Sequence, residues 1–160
     1  MKPLPAATLA LASAIFFALS TTPAQGQPSA RTVIPGTAPL PADDSLYREL
    51  GGRDAIQHFT DDFYERMLLD ARIAHFFEGI NTRHLKRVLA DYFCVVAGGP
   101  CVYDGIDMKS SHAHLGIGKG DFNALVEHLQ SAMNDANVPF ATQNRLLARL
   151  AFMHRDIVTR

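Results

Sequence analysis

The chain has 160 residues, of which 48% are hydrophobic and 19% charged, and its formal net charge is −1. This balance is typical of one soluble domain. A nearly neutral chain lacks the excess positive charge that favours binding to nucleic acid or to an anionic surface, so neither is expected as a partner.

The N-terminal segment has the pattern of an export signal. Lys2 precedes an apolar run over residues 6–19, and small residues follow, with Ala24 and Gly26 forming an A-x-G exit. Residues 1–26 are therefore predicted to be a signal peptide, and the mature protein to be periplasmic with no membrane segment. The alternative is an uncleaved membrane anchor, although the run is short for a spanning helix of ~20 residues.

The next segment separates this signal from the folded part of the chain. Residues 27–42 are rich in proline, alanine, serine and threonine and show no hydrophobic period, which predicts a disordered linker. Residues 43–160 remain as the folded domain. A domain of this size can bury enough surface for a core and one ligand pocket.

Helical periodicity runs through residues 43–160. Apolar residues recur every three or four positions, and no segment alternates as a strand would. The fold class is therefore predicted to be all-α. Five helices are predicted from their start and stop signals. The first is short, capped by Ser45 and stopped by Gly51-Gly52, and the second ends near Asp70. The third is capped by Thr82 and ended by Gly98-Gly99-Pro100, the fourth is capped by Asp121, and the last is opened by Pro139.

Residues 100–120 differ from the rest, because they are rich in glycine and only weakly periodic. A long connection of this kind is functional or disordered. It carries His112 and His114, which at i and i+2 would point to nearly opposite sides of a helix, so at most one is a ligand. His112 has apolar neighbours and is either a histidine at the core edge or the single axial ligand of a haem pocket.

A series of motifs in this domain resembles the group I truncated haemoglobins, shortened globins with a two-over-two helical sandwich. The resemblance implies a truncated globin domain over residues 43–160 that binds one noncovalent haem b. It is carried by the motifs LYRELGG at 46–52, DDFYERML at 61–68, HFFEGIN at 75–81, AGGPCVYDG at 97–105 and MKSSHAHLGI at 108–117.

The resemblance also implies roles for individual residues. His112 corresponds to the proximal ligand of the iron, Tyr64 to the distal hydroxyl donor and candidate catalytic residue, and Phe77 to the aromatic wedge against the macrocycle. His112 would bind iron through Nε2 of a neutral ring whose other nitrogen donates to a backbone carbonyl. The remaining residues predicted to contact the cofactor are Leu85, Leu89, Met108, Leu115 and Leu125.

The distal side departs from the family pattern. Leu89 stands where many members carry a glutamine, and Leu85 offers no donor either. A hydrogen bond to bound oxygen therefore depends on Tyr64, or on Tyr92 if its hydroxyl points inward. His84, beside Leu85, is expected to reach the iron only after a rotation of its helix, because it lies about 100° off the pocket face.

Two classes of function follow from these residues. The first is a haem protein that reversibly binds oxygen and nitric oxide, with a possible dioxygenase activity that removes nitric oxide. That activity needs an external electron donor, since the sequence has no flavin or nicotinamide fingerprint. The second is a haem-free, globin-shaped helical binding or sensor module. His112, Tyr64 and Phe77 occurring together favour the first.

The cysteines form a separate pattern. Cys94 and Cys101 flank the Gly98-Gly99-Pro100 turn, and an exported chain meets oxidising conditions, so an internal disulfide is predicted. The alternative is a buried thiol at Cys94 and a loop thiol at Cys101. Neither belongs to a C-x-x-C-H attachment motif, which is why the haem is predicted to be noncovalent.

Overall fold

The computed structural model describes residues 43–160, so the predicted signal peptide and linker, residues 1–26 and 27–42, lie outside the described residues. Residues 43–160 form helices and no strand, which confirms the all-α prediction. No helix in this range is long and apolar enough to cross a bilayer. In chain order the elements are α1 (Ser45–Glu49), α2 (Gly52–Leu69), a 3₁₀ helix (Ala74–Phe77), α3 (Thr82–Val96), α4 (Met108–His112), α5 (Lys119–Asp135), α6 (Phe140–Leu150), a second 3₁₀ helix (Ala151–Met153) and α7 (His154–Ile157).

Helix α2 lies at the centre of the domain and packs against both α3 and α5. Its apolar residues recur every three or four positions, as the sequence predicted, and are buried: Ile56, Phe59, Phe63 and Met67. The rings of Phe59 and Phe63 lie 5.9 and 6.0 Å from the ring of Phe93 on α3. Burial of each such side chain contributes about 1.5–3 kcal/mol. Helices α5 and α6 contact each other, and α1 contacts both α2 and α6. The long helices are thereby held on either side of one apolar core.

Glycines end the helices where the sequence predicted. Gly51 and Gly98 have φ angles of 89° and 88°, in the left-handed region that favours glycine. Gly99 is also needed for close packing, because a Cβ there would lie 2.6 Å from Cys94 Sγ and 2.5 Å from the Tyr47 ring. The chain therefore turns sharply after α3.

The helix caps differ from the prediction. Ser45 and Thr82 are the first helical residues of α1 and α3 rather than their caps. Asn81 caps α3, and its side-chain oxygen accepts a backbone N–H at 3.0 Å. Asp121 is the third residue of α5, where its carboxylate accepts the backbone N–H of Gly118 at 2.9 Å. The sequence alone cannot decide which of two neighbouring residues, such as Asn81 and Thr82, caps a helix, because both residue types are good caps. The path of the preceding loop decides which side chain reaches the free N–H.

The last helix was predicted to run from Pro139 with apolar residues as far as Ile157, but the structure breaks it, which corrects the sequence analysis. The residues 151–153 form a 3₁₀ turn between α6 and α7. A 3₁₀ helix has three residues per turn instead of 3.6, so the direction of the chain changes there. Met153 and Ile157 are both buried as a result, and α7 packs against α4. The bend lets the C-terminal residues close the domain near α4.

The predicted disulfide between Cys94 and Cys101 is confirmed. It ties the last turn of α3 to the segment that leads into α4. The sequence has no other cysteine, so no thiol remains for attachment of a haem.

Asp70, at the C-terminal end of α2, joins that helix to α5. Its carboxylate accepts hydrogen bonds from the backbone N–H of Arg72 at 2.9 Å and from the Arg72 guanidinium at 2.7 Å. His128 Nε2 on α5 lies 2.7 Å from Asp70 Oδ2. The Arg72 guanidinium, the Arg72 backbone N–H and then the His128 ring hold the pKa of Asp70 well below its usual range.

Asp70→Asn is expected to lower the free energy of unfolding at neutral pH, because the amide lacks the charge that these donors stabilise. A carboxyl whose pKa is lowered on folding stabilises the protein above its unfolded pKa and loses this effect as the pH falls through the folded pKa. The loss in melting temperature should thus be largest near neutral pH and shrink below about pH 4. Thermal unfolding followed by circular dichroism across pH measures it. Asp54→Asn, at an exposed position in the first turn of α2, is the control. A deficit independent of pH would contradict the electrostatic explanation.

Candidate functional site

A large cavity lies among the helices, with a volume of about 630 Å³. Side chains from α2, α3, α4, α5 and α6 line it, and most of them are aliphatic or aromatic. The volume falls within the range of about 300–1,000 Å³ that is usual for small-molecule and cofactor sites. Such a lining favours a large apolar ligand that needs few polar contacts.

The structure brings nearly all of the predicted cofactor contacts together. Tyr64 is the exception, because it is not among the residues that line the cavity. The predicted residues that do line it are Phe77, Leu85, Leu89, Met108, His112, Leu115 and Leu125.

His112 ends the short helix α4, which the sequence analysis did not resolve within residues 100–120. Asp107 caps this helix, and its carboxylate accepts the backbone N–H of Ser110 at 2.9 Å. Because the helix has 5 residues, it is too short for an apolar period to be recognised. The turn places the His112 ring against the cavity and exposes His114 to solvent.

The hydrogen bonds of the His112 ring leave one nitrogen free. Nδ1 lies 2.7 Å from the backbone carbonyl oxygen of Met108 and 2.9 Å from Ser111 Oγ. A carbonyl oxygen only accepts, so Nδ1 carries the proton and Nε2 keeps its lone pair in the neutral ring. Within residues 43–160, Nε2 makes no hydrogen bond. A neutral imidazole oriented in this way by a backbone carbonyl is a metal ligand of the usual kind.

Helix α3 supplies the wall that carries Leu85 and Leu89, and neither side chain can donate a hydrogen bond. Tyr92 also lines the cavity, but its hydroxyl donates to Met153 Sδ. Burial raises the pKa of Tyr92. The second hydroxyl considered from the sequence is therefore already engaged. His84 also lines the cavity, although its side chain is exposed, and its approach to the iron after a helix rotation stays a prediction.

Tyr64 is buried on α2, with 1% of its surface exposed. Its ring packs edge-on against Phe77, with the centroids 5.9 Å apart, and its hydroxyl oxygen lies 3.5 Å from Thr82 Oγ1. Lys86 Nζ lies 5.6 Å from the centre of the same ring. The tyrosine thus touches the cavity wall through Phe77. Its role as a distal donor stays a prediction.

The rim of the cavity carries apolar side chains that are open to solvent. Ile80, Ile106 and Leu115 are 43%, 66% and 39% exposed, and all three line the cavity. Covering such surface gains roughly 25 cal/mol per Å². The sequence analysis did not predict that Ile80 and Ile106 belong to the site, because they lie in loops, where helical periodicity gives no information.

Comparison with known proteins agrees with this geometry. The family model described as Bacterial-like globin matches residues 45–159. The group 1 truncated hemoglobin GlbN of Mycolicibacterium paratuberculosis is 34% identical, over 72% of this chain and 85% of the relative. The chain belongs to the group 1 truncated haemoglobins. A second such relative, from Synechocystis sp., is 33% identical over 59% of this truncated haemoglobin and 80% of its own length.

Solved structures extend the likeness to the fold. The Fe(III) form of truncated hemoglobin from Tetrahymena pyriformis has a TM-score of 0.69 and 26% identity, covering 72% of this truncated haemoglobin and 98% of that chain. The predicted two-over-two sandwich is confirmed. Truncated haemoglobins are haem proteins, so the cofactor prediction, consistent with haem b, is confirmed at the level of the family. Membership of this family also supports haem-based oxygen binding.

Proposed function

We propose that residues 43–160 hold one noncovalent haem b, with its iron on His112, and that the protein reversibly binds oxygen and nitric oxide. The observation that carries this proposal is the free Nε2 of His112 in the wall of an apolar cavity, with Nδ1 committed to the Met108 carbonyl. When bound, the haem iron supplies an open coordination position for a diatomic ligand.

The protein's own residues would orient the group and exclude water. The Met108 carbonyl and Ser111 hydroxyl hold the His112 ring in one tautomer and one orientation. Phe77 and Leu85 would contact the flat apolar faces. A low density of polar groups around the ligand position strengthens any single hydrogen bond formed there, since less water competes for the donor. Tyr64 is the candidate for that donor.

The apolar rim favours this proposal over a haem-free helical binding module. Three large side chains of the rim, Ile80, Ile106 and Leu115, would be covered by a ligand that fills the cavity and reaches its mouth. A haem-free module would leave this surface in contact with water, which is unfavourable. The absorption spectrum of the purified protein distinguishes a haem protein from a haem-free binding module.

The protein purified after expression with ample haem is expected to show a Soret band and one haem per chain. The band should shift on reduction and again on addition of carbon monoxide, because the ligand position is open. Absorption spectra of the ferric, ferrous and carbon monoxide forms measure this. A protein that is folded by circular dichroism and shows no Soret band would establish the haem-free module instead.

Nitric oxide detoxification is the finer part of the proposal. A dioxygenase reaction would convert nitric oxide to nitrate at the same site, and it would stop after one turnover unless an external electron donor restores the reduced state. Nitrate measured after the oxygen-loaded protein is mixed with nitric oxide tests this step. If no nitrate forms, oxygen binding remains without that activity.

We also propose that the protein is exported to the periplasm. The disulfide between Cys94 and Cys101 supports this location, since such bonds persist in oxidising compartments. Cell fractionation together with mass spectrometry of the mature N-terminus tests it. Cleavage after residue 26 is the expected result, and an intact N-terminus in the membrane fraction would show the alternative, an uncleaved anchor.

A further inference from the structure

One wall of the cavity is a strap, residues 101–107, between the end of α3 and the start of α4. Tyr103, Gly105 and Ile106 of the strap line the cavity. The strap then leads into the helix that carries His112. Its conformation therefore bears directly on the position of the proposed iron ligand.

Few interactions hold the strap in place. Within residues 43–160, no backbone–backbone hydrogen bond joins residues 101–106 to the rest of the chain. Val102 and Ile106 are largely exposed. The remaining contacts are side-chain ones, such as the ion pair of Arg87 with Asp104 and the edge-on packing of Tyr103 against Tyr92. The disulfide at Cys101 is the strap's only covalent cross-link to α3.

The two cysteines of the disulfide differ in burial. Cys94 is fully buried, whereas Cys101 is half-buried at the start of the strap. A guanidinium nitrogen of Arg53 lies 3.1 Å from Cys101 Sγ and also pairs with the buried carboxylate of Asp91. A positive group held beside Sγ of the more exposed cysteine attracts an anionic thiolate and stabilises a thiolate formed there.

We propose that the Cys94–Cys101 disulfide is a thiol-exchange site, at which a dithiol reductant opens the strap and so promotes release of haem from His112. The haem release rests on the proposed function, whereas the opening of the strap does not. A disulfide compound, which takes two electrons and two protons from the two thiols and becomes a dithiol, re-forms the bond and closes the same wall. The partner is identified by its chemistry as a small-molecule or protein dithiol.

The exchange proceeds in two steps. A thiolate of the reductant attacks Cys101 Sγ, the bond between the cysteine sulfurs breaks, and the Cys94 sulfur leaves and takes a proton. The second thiol of the reductant then attacks the reductant's own sulfur in the mixed disulfide, releasing the Cys101 sulfur beside Arg53. The reductant loses two electrons and becomes a disulfide, while its two protons end on the two cysteines.

Amide hydrogen exchange with and without dithiothreitol tests the opening of the strap. The reporters are the N–H groups of Gly99 and Ser111, which donate to the carbonyls of Cys94 and Asp107 at the two ends of the strap. Reduction is expected to speed their exchange roughly 10- to 100-fold, the scale on which closing a short loop stabilises a protein. Core amides of α5 should not change. Unchanged exchange at Ser111, or an equal rise in α5, would overturn the proposal.

Haem loss provides the second readout. Transfer of haem to excess apomyoglobin is expected to be about tenfold faster after reduction, because local opening limits escape from a closed pocket. Equal rates before and after reduction would refute control of haem release. A protein that never takes up haem would refute the proposed function, while the amide exchange would still report on the strap.

Variants separate the roles of the residues. The double variant Cys94→Ser and Cys101→Ser should resemble reduced wild type and ignore dithiothreitol. Arg53→Gln is expected to slow the appearance of thiols roughly tenfold, while Arg53→Lys, which keeps the charge, should slow it less. Thiol titration over time measures this. An unchanged rate in Arg53→Gln would show that the guanidinium takes no part in the exchange.

Discussion

His112→Ala is expected to abolish stable haem binding, because it removes the proposed protein ligand of the iron. Loss of a group that merely orients a metal ligand costs roughly 10- to 100-fold in affinity, so loss of the ligand itself should cost more. The Soret absorbance of the purified variant, after passage through a desalting column, measures the haem retained. The helical content should stay near that of the wild type, since α4 has only 5 residues.

His114→Ala is the matched control, because it removes an exposed imidazole two residues away. This variant should keep a near-normal spectrum. Free imidazole added to His112→Ala should restore part of the Soret band, since it can occupy the space left by the side chain. Equal loss of haem from both variants would mean that the proximal position is misplaced.

Tyr64→Phe is expected to speed oxygen release by roughly 10- to 100-fold. A hydrogen bond to the partly negative bound oxygen contributes about 1.5–3 kcal/mol, and 1.4 kcal/mol corresponds to a factor of ten. The tyrosine hydroxyl oxygen lies 3.5 Å from Thr82 Oγ1, and either hydroxyl can be the donor. If Thr82 donates, the Tyr64 hydroxyl keeps its hydrogen for the ligand, and if Tyr64 donates, its hydroxyl must turn toward the ligand. Stopped-flow measurement of oxygen dissociation gives the rate.

Carbon monoxide distinguishes a hydrogen bond from a packing defect. It carries little charge on its outer atom, so its dissociation from Tyr64→Phe should change far less than that of oxygen. Tyr92→Phe is the matched control, since its hydroxyl is engaged by Met153, and it should leave oxygen release nearly unchanged. If Tyr64→Phe also has no effect, then Tyr64 does not donate to the bound oxygen, and His84 becomes the candidate donor.

On the side of the site that carries His112, the sequence identified a histidine that the structure places at the cavity. His112 stands among apolar residues in a glycine-rich segment, and its bond to the Met108 carbonyl spans only four residues. The disulfide could also be predicted from the sequence, because Cys94 and Cys101 flank one short turn. Interactions between residues this close in the chain depend little on how distant helices pack.

The distal side could be predicted only in part, because its residues come from elements far apart in the chain. Leu85 and Leu89 lie one turn apart on α3, so their shared face followed from helical geometry. Tyr64 comes from α2, and whether its hydroxyl meets a ligand or Thr82 depends on the rotation of two packed helices. Helical spacing carries no information about that rotation.

By itself the sequence determined the all-α class, the glycine stops at the ends of α1 and α3, and the disulfide, and it predicted His112 rather than His114 as the iron ligand. Each of these follows from backbone φ preferences, helical period or short-range geometry. Only the tertiary structure decided the break at residues 151–153, the exposed apolar rim at Ile80 and Ile106, and the absence of Tyr64 from the cavity lining. These features arise where side chains distant in the chain compete for the same space, and packing between helices selects the outcome.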